Sequence, residues 1–291
     1  MPSPTFVKEK YDNIYRAIAA LLRKVINVST VSREVRYAYL QRAVPAVWSD
    51  IANTKNPLRS DEALASCIEK YERTPARLAT KEGNLDMTLG QVEQWKRRFI
   101  CDVLHKHDFD TAIELGSGWG HRLVDLWLSC PPIKGSQANY VACELSNKGV
   151  GCTELLGTLF QDMALTAREF DMLEPDLSAM DVETNRTLIY SVHAIEQLPE
   201  VPSHLFDILL KSFPAIRGVH FEPITFQLPN QASINEERYR FDLNKAVQSN
   251  QNGNLFEVLE KHPGLEITNI RPAVWQISQG HSVSVVEWQS V

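Results

Sequence analysis

Glu114-Leu115-Gly116-Ser117-Gly118-Trp119-Gly120 places a carboxylate two residues ahead of three alternating glycines, directly after an apolar stretch. Glycine permits a sharp turn and lets a ligand approach the backbone with no Cβ in the way. A helix starting beyond such a turn offers unpaired N–H groups and the positive end of its dipole, which commonly attract phosphate. Glu114 reverses that preference, because it sets negative charge where a dinucleotide would put its pyrophosphate. A cationic ligand is therefore expected. The dinucleotide pattern G-x-G-x-x-G also fails, since its third glycine position is His121.

Other residues of chemical interest lie at the ends of later apolar stretches. Glu144, closing Val141-Ala142-Cys143-Glu144-Leu145, is an acid at a strand tip that can accept hydrogen bonds from both hydroxyls of a ribose. His193 follows Tyr190-Ser191-Val192 and falls at the carboxyl edge of the expected sheet, where ligands bind in open α/β folds. Glu222 ends a buried stretch just before Pro223 and is expected to face the cleft mouth, where a carboxylate could hold an amine or guanidine or deprotonate a hydroxyl. Glu196, His220 and Tyr239 are further candidates on the acceptor side, although an acid placed like Glu196 commonly serves only to cap a helix.

The glycine turn with its leading acid resembles the first motif of class I S-adenosylmethionine-dependent methyltransferases. The resemblance runs from about Asp110 to the C-terminus. It implies a cofactor site built from Glu114, Gly116, Ser117 and Gly118 against the methionine part, and from Glu144 and Leu145 against the ribose. It also implies that Asp171 takes the adenine amine while Phe170 covers the ring, with Asp176 or Asp181 as alternatives to Asp171. The segment from Tyr190 to Pro199 is similar to the one that opens over the reactive sulfur in small-molecule members, so that Ser191, Val192 and His193 border the cofactor. Many of those members carry a second histidine where this chain has Gln197. The implied activity is methyl transfer from S-adenosylmethionine to oxygen or nitrogen of a small-molecule acceptor, with His193 and Glu222 as catalytic residues. A protein or amino-acid N-methyltransferase, an NAD-dependent dehydrogenase and a non-catalytic relative are the competing readings.

The elements that must position these residues change character along the chain. Residues 1–87 read as a helical extension serving as acceptor cap or dimerisation element, and residues 88–291 as the Rossmann-like domain. Ile14, Ile18, Leu21, Leu22 and Val25 recur at helical spacing. A second helix is expected over 32–52, interrupted at Pro45, and a third from Asp61, while 74–86 reads as a loop. Thr88 and Gln91 form a capping box in front of another helix. Strands at 111–115, 140–145, 166–170, 188–192 and 219–221 then alternate with helices at 120–129, 148–161 and 203–213. This order specifies an α/β fold: a doubly wound, seven-stranded, mostly parallel sheet with helices on both faces. A helix over 242–262 precedes strands at 265–270 and 283–288, which are expected to pair antiparallel because no crossover lies between them. The resemblance likewise implies an antiparallel last strand. The polar stretch 227–240 reads as a long loop suited to a lid.

Composition narrows the function classes. A net charge of −6 argues against a chain that grips a phosphate backbone, and Lys96-Arg97-Arg98 reads as a solvated helix face. Five cysteines with no CxxC pair suggest neither a disulfide framework nor a metal cluster. No stretch is apolar enough for a signal peptide or a membrane span, which leads to the expectation of a cytoplasmic protein working on a small molecule, as a monomer or homodimer.

Overall fold

The computed structural model describes residues 4–54, 60–129, 138–178, 184–277 and 282–291, with the side chains described except at 4–10 and 52–54. Three helices come first: α1 (Pro4–Ile26), α2 (Arg33–Thr54) and α3 (Asp61–Arg73). A hairpin of β1 (Pro75–Thr80) and β2 (Gly83–Thr88) leads into α4 (Leu89–Leu104). The alternating part follows as β3 (Thr111–Leu115), α5 (His121–Ser129), β4 (Asn139–Glu144), α6 (Asn147–Leu159), β5 (Ala164–Glu169), β6 (Thr187–Val192), α7 (Ser203–Ser212) and β7 (Ile216–Glu222). The chain ends with α8 (Gln231–Ile234), α9 (Glu236–Ser249), α10 (Leu255–Lys261), β8 (Leu265–Ile277) and β9 (Val283–Ser290).

The sheet has nine strands rather than seven, in the order β2-β1-β8-β9-β7-β6-β3-β4-β5. Strands β5, β4, β3, β6 and β7 are parallel neighbours. The remainder is joined by antiparallel pairings, including β9 between β7 and β8. The order reverses at β3: the chain runs outward through β4 and β5, then returns to start β6 on the other side. That reversal opens a crevice at the carboxyl ends of β3 and β6, the place where open α/β sheets bind ligands.

Helices cover both faces, and strand residues divide between two cores by alternation. Ala112, Tyr140, Ala142, Leu188, Tyr190 and Phe221 pack toward the buried residues of α1, α2, α4, α5 and α6. Ile113, Leu115, Val141, Ile189 and Trp288 pack toward α7 and α10. Glu114 shares the parity of Ala112 and faces the first core, whereas Glu222 lies on the opposite face with Ser191.

The N-terminal region departs from a purely helical extension. Residues expected as a loop form the β1–β2 hairpin, which pairs with β8 and so extends the sheet. Helix α2 runs through Pro45 without a break. A missing N–H and a ring clash penalise proline there, but buried Tyr37, Leu40, Val44 and Val47 anchor both halves of the helix. The capping box at Thr88 forms as the sequence specifies, with Gln91 N donating to Thr88 Oγ1 and Thr88 N donating to Gln91 Oε1.

Near the C-terminus, the expected single helix is two. Asn250 adopts a left-handed conformation (φ 50°) that ends α9, and α10 begins five residues later. The stretch expected as a long loop follows a 3₁₀ turn at Thr225–Gln227 and holds α8 and the first turn of α9. Among the described residues no helix is long and apolar enough to cross a membrane, and no group of three or more His, Cys, Asp or Glu is arranged to hold a metal. Cys67, Cys101, Cys143 and Cys152 are free thiols, and Cys130 lies outside the described residues.

Candidate active site

The glycine turn is locked by its own backbone. The amides of Gly116 and Ser117 both donate to the Cys143 carbonyl, at 2.8 and 3.0 Å, and the Gly120 amide donates to the Ser117 carbonyl at 3.0 Å. The Gly118 amide donates to Glu144 Oε2 at 2.8 Å. Four amides that could have cradled a phosphate are thus already engaged.

The glycines have distinct reasons for being there. Gly116 (φ 70°) presses against the loop after β6, where an added Cβ would lie 2.3 Å from Ala194 Cβ. Gly118 (φ 62°) is open, with only the Tyr15 hydroxyl within 4 Å of a would-be Cβ. We expect Gly116→Ala to cost about 2–5 kcal/mol of stability in urea unfolding, from left-handed strain plus overpacking. Gly118→Ala should cost only the strain, about 1–2 kcal/mol, while obstructing whatever ligand lies on the turn.

Glu144 is buried at the tip of β4 and also accepts from the Ser146 amide at 3.1 Å. The Tyr15 hydroxyl is a further partner. Burial raises its pKa while these donors oppose the shift. Leu145 beside it is half-buried. Ser146 caps α6 and donates to Asp12 Oδ1 at 2.5 Å, so α1 is tied to the same strand tip. Tyr11, one turn before Tyr15, bonds Gln197 in the loop after β6, and burial together with Glu196 and Glu144 pushes its hydroxyl up to about 12. Helix α1 therefore lies across the crevice from the ribose-type acid to the His193 loop. Tyr11, Asp12 and Tyr15 escaped the sequence reading, although Tyr11, Ile14, Tyr15 and Ile18 share one helical face.

Glu114 is fully buried, with its pKa raised to about 7 by desolvation. It is not a bare anion. Arg122 Nη1 lies 3.2 Å from its Oε1, and the Tyr190 hydroxyl donates to Oε2 at 3.4 Å. Sequence reasoning missed Arg122; the available signal was a cation in the first turn of a helix, where the dipole opposes it.

Of the residues expected at an adenine, Phe170 is buried and Asp171 half-buried, with Asp171 Oδ1 accepting from the Leu173 amide at 2.8 Å. Asp176 is exposed and caps the Ser178 amide, and Asp181 lies outside the described residues. Met172 Cε reaches to 4.0 Å from the would-be Cβ of Gly116, a contact the sequence did not reveal.

The β6 loop carries the histidine. His193 has φ 55°, costly for a residue with a branched ring, and its amide donates to Phe221 O. Its side chain stays 31% exposed, and Nδ1 lies 3.4 Å from Glu196 Oε2. The strained loop is held from behind by Glu222. Oε1 of Glu222 accepts from Ser191 Oγ at 2.6 Å and from the amides of Ala194 and Ile195 at 3.1 Å, and Oε2 accepts from the Glu196 amide at 3.2 Å. Glu222 is wholly buried, and burial with nearby Glu196 raises its pKa. The expectation that Glu222 faces the cleft mouth is therefore corrected: it is wholly buried, with both oxygens engaged by the segment from Ser191 to Glu196 that carries His193.

Behind Glu222 the protonation pattern is fixed. The Trp288 indole can only donate, and it donates to His220 Nε2 at 2.9 Å. His220 Nδ1 then carries the proton toward Ser191 Oγ at 2.9 Å, and Ser191 donates onward to Glu222. Desolvation pushes the His220 pKa down to about 3, keeping the ring neutral. His220, an acceptor-side candidate, and Ser191, expected to border the cofactor, are thus both wholly buried members of one hydrogen-bonded brace. Val192 is buried at the end of β6 on the α1 side. Tyr239 lies on α9, with its amide donating to the Asn235 carbonyl.

No family model matches the sequence, and no curated protein matches it. Solved structures do. The plantazolicin methyltransferase BpumL, in complex with a monoazolic desmethylPZN analogue and SAH, has a TM-score of 0.44 at 10% identity over 94% of this chain and 98% of that one. An SAH-bound methyltransferase from Podospora anserina has a TM-score of 0.43 at 12% identity, covering 67% of this chain and 78% of that one. An O-methyltransferase from Bacillus cereus in complex with SAH has a TM-score of 0.41 at 12% identity, covering 67% and 80%.

Proposed function

We propose that this protein transfers a methyl group from S-adenosylmethionine to an oxygen or nitrogen of a small-molecule acceptor. One observation carries the reading. The turn at the switch point has the Gly116, Ser117, Gly118 and Gly120 amides internally paired and is flanked by the buried carboxylates Glu114 and Glu144. Such a turn leaves those amides unavailable to a diphosphate and sets an acid at the tip of β4 beside it, which suits a nucleoside. The residues present fit that ligand: Gly118 leaves its approach open, and the Ser117 hydroxyl is buried with no hydrogen-bond partner.

In this reading Glu144 holds the ribose hydroxyls, Asp171 and Phe170 hold the adenine, and Glu114 with the glycine turn receives the amino-acid end. When bound, the sulfonium supplies an electrophilic methyl group. What remains for the protein is to align an acceptor behind that methyl and to remove a proton. His193 is suited to removing the proton, because Glu196 accepts from Nδ1–H and so leaves Nε2 as the basic nitrogen.

The test is thermal unfolding with candidate ligands. Adenosylhomocysteine at a hundred times its Kd should stabilise the fold by about 2.7 kcal/mol, with no shift from NAD. A shift with NAD alone would reverse the assignment.

A further inference from the structure

Two buried acids at the carboxyl ends of β4 and β7 lack the cation that a buried carboxylate ordinarily keeps beside it. Glu114 has Arg122, but among the described residues no lysine or arginine is ion-paired to Glu144 or Glu222. Glu222 is held in its ionised form, because the Ser191 hydroxyl and the amides of Ala194, Ile195 and Glu196 all donate to it. Glu196 stands above it as a further carboxylate, with 18% of its side chain exposed, and acts electrostatically on both Glu222 and Tyr11. Aromatic rings gather at the same place. Tyr11 reaches the loop through Gln197, whose Nε2 donates to the His193 carbonyl at 2.9 Å. The Trp48 ring on α2 lies 5.6 Å from the Tyr11 ring and 5.8 Å from that of Tyr15, between centroids, and Tyr11 and Trp48 are both partly exposed. The faces of such rings are electron-rich, so they add to the negative potential of the acids instead of offsetting it.

We propose that the methyl acceptor is an amine that binds as its ammonium ion, held between the rings of Tyr11 and Trp48 and the carboxylate of Glu196. This rests on the methyltransferase reading above and narrows its acceptor to nitrogen. A hydroxyl acceptor brings no charge and leaves the buried acids uncompensated, whereas an ammonium supplies the missing cation and meets π faces and a carboxylate together. The ammonium is the form recognised, and the free amine is the form that reacts, since an ammonium has no lone pair. His193 Nε2 takes one N–H proton. The nitrogen lone pair then forms the bond to the methyl carbon while the carbon–sulfur bond breaks and its electron pair stays on sulfur. The methylated amine leaves with the positive charge that the sulfonium brought, and His193 passes its proton to water.

Choline and 3,3-dimethylbutan-1-ol test this, because the two probes share one shape and differ by a single positive charge. Each is titrated by calorimetry into the full chain already saturated with adenosylhomocysteine, so that the cofactor crevice is filled. Choline should bind about tenfold more tightly than the alcohol, or better. Trp48→Leu should narrow that preference about 3- to 30-fold, and Glu196→Gln should bring the two probes within about threefold of each other. Equal affinities in the wild type, no measurable choline binding, or a preference that survives both substitutions overturns the proposal. The preceding titration with adenosylhomocysteine reports separately on the methyltransferase reading, which falls if that compound does not bind and stands if it binds while choline does not. Should Trp48→Leu not fold, Glu196→Gln decides together with an acceptor screen using labelled S-adenosylmethionine. Label should enter amines and not alcohols of the same carbon frame, and label in the alcohols alone would be equally fatal.

Discussion

Replacing His193 with alanine is expected to reduce methyl transfer by about 10²- to 10⁴-fold, the range over which a positioned general base contributes. The same substitution should leave adenosylhomocysteine affinity within about twofold, since the proposed function gives His193, paired to Glu196, to the acceptor. It should leave the left-handed strain and the backbone bond to Phe221 in place, because alanine keeps the Cβ that causes the strain. Single-turnover rates measured beside ligand titrations separate the two effects. A variant that loses cofactor affinity but keeps its rate would move His193 to the donor.

Glu222→Ala should be strongly damaging to stability. It strips the acceptor from three backbone amides and the Ser191 hydroxyl, of which all but the partly buried Glu196 amide are buried. Each orphaned donor costs about 1–3 kcal/mol, and water entering the void recovers part of that, so a net loss of about 3 kcal/mol or more is expected. For a chain of this size that corresponds to a fall in melting temperature of roughly 6–12 °C. Because Glu222 braces the turn from behind, activity should fall with it. The diagnostic is the pH profile of the surviving activity: a brace leaves the apparent pKa of the base in place, whereas a proton acceptor takes its limb of the profile with it. Loss of that limb in a folded variant would return Glu222 to the chemistry.

How much of this was legible in the sequence depends on whether a signal is local. The strand-turn-helix around Glu114 could be read because the turn's geometry is written in its own glycines, and the alternation of β3 to β7 with their helices was visible because buried parallel strands are short apolar runs. The β1–β2 hairpin was not, because β2 is exposed along most of its length and β1 buries only Ala76 and Leu78; its pairing with β8 is set by residues far away in the chain. Pro45 misled for a similar reason, since a local rule met four buried side chains. The break at Asn250 was signalled only by its polar neighbours, without a proline to mark it.

At the site, residue types were readable and partnerships were not. Glu114 and Glu144 were recognisable as acids at strand tips, yet nothing local shows that one is paired to Arg122 and the other to Tyr15. Glu222 illustrates the converse. An acid before a proline at the end of a buried strand looks exposed in sequence, and only the fold reveals three amides curling back to meet it.

The position of α1 has a kinetic consequence. In the proposed reading a ribose arriving at Glu144 competes with the phenol of Tyr15 for one acceptor, and the same helix is moored at Ser146 and Gln197. Entry and exit of that nucleoside would then require those moorings to slip, which makes α1 a gate on departure of the spent donor.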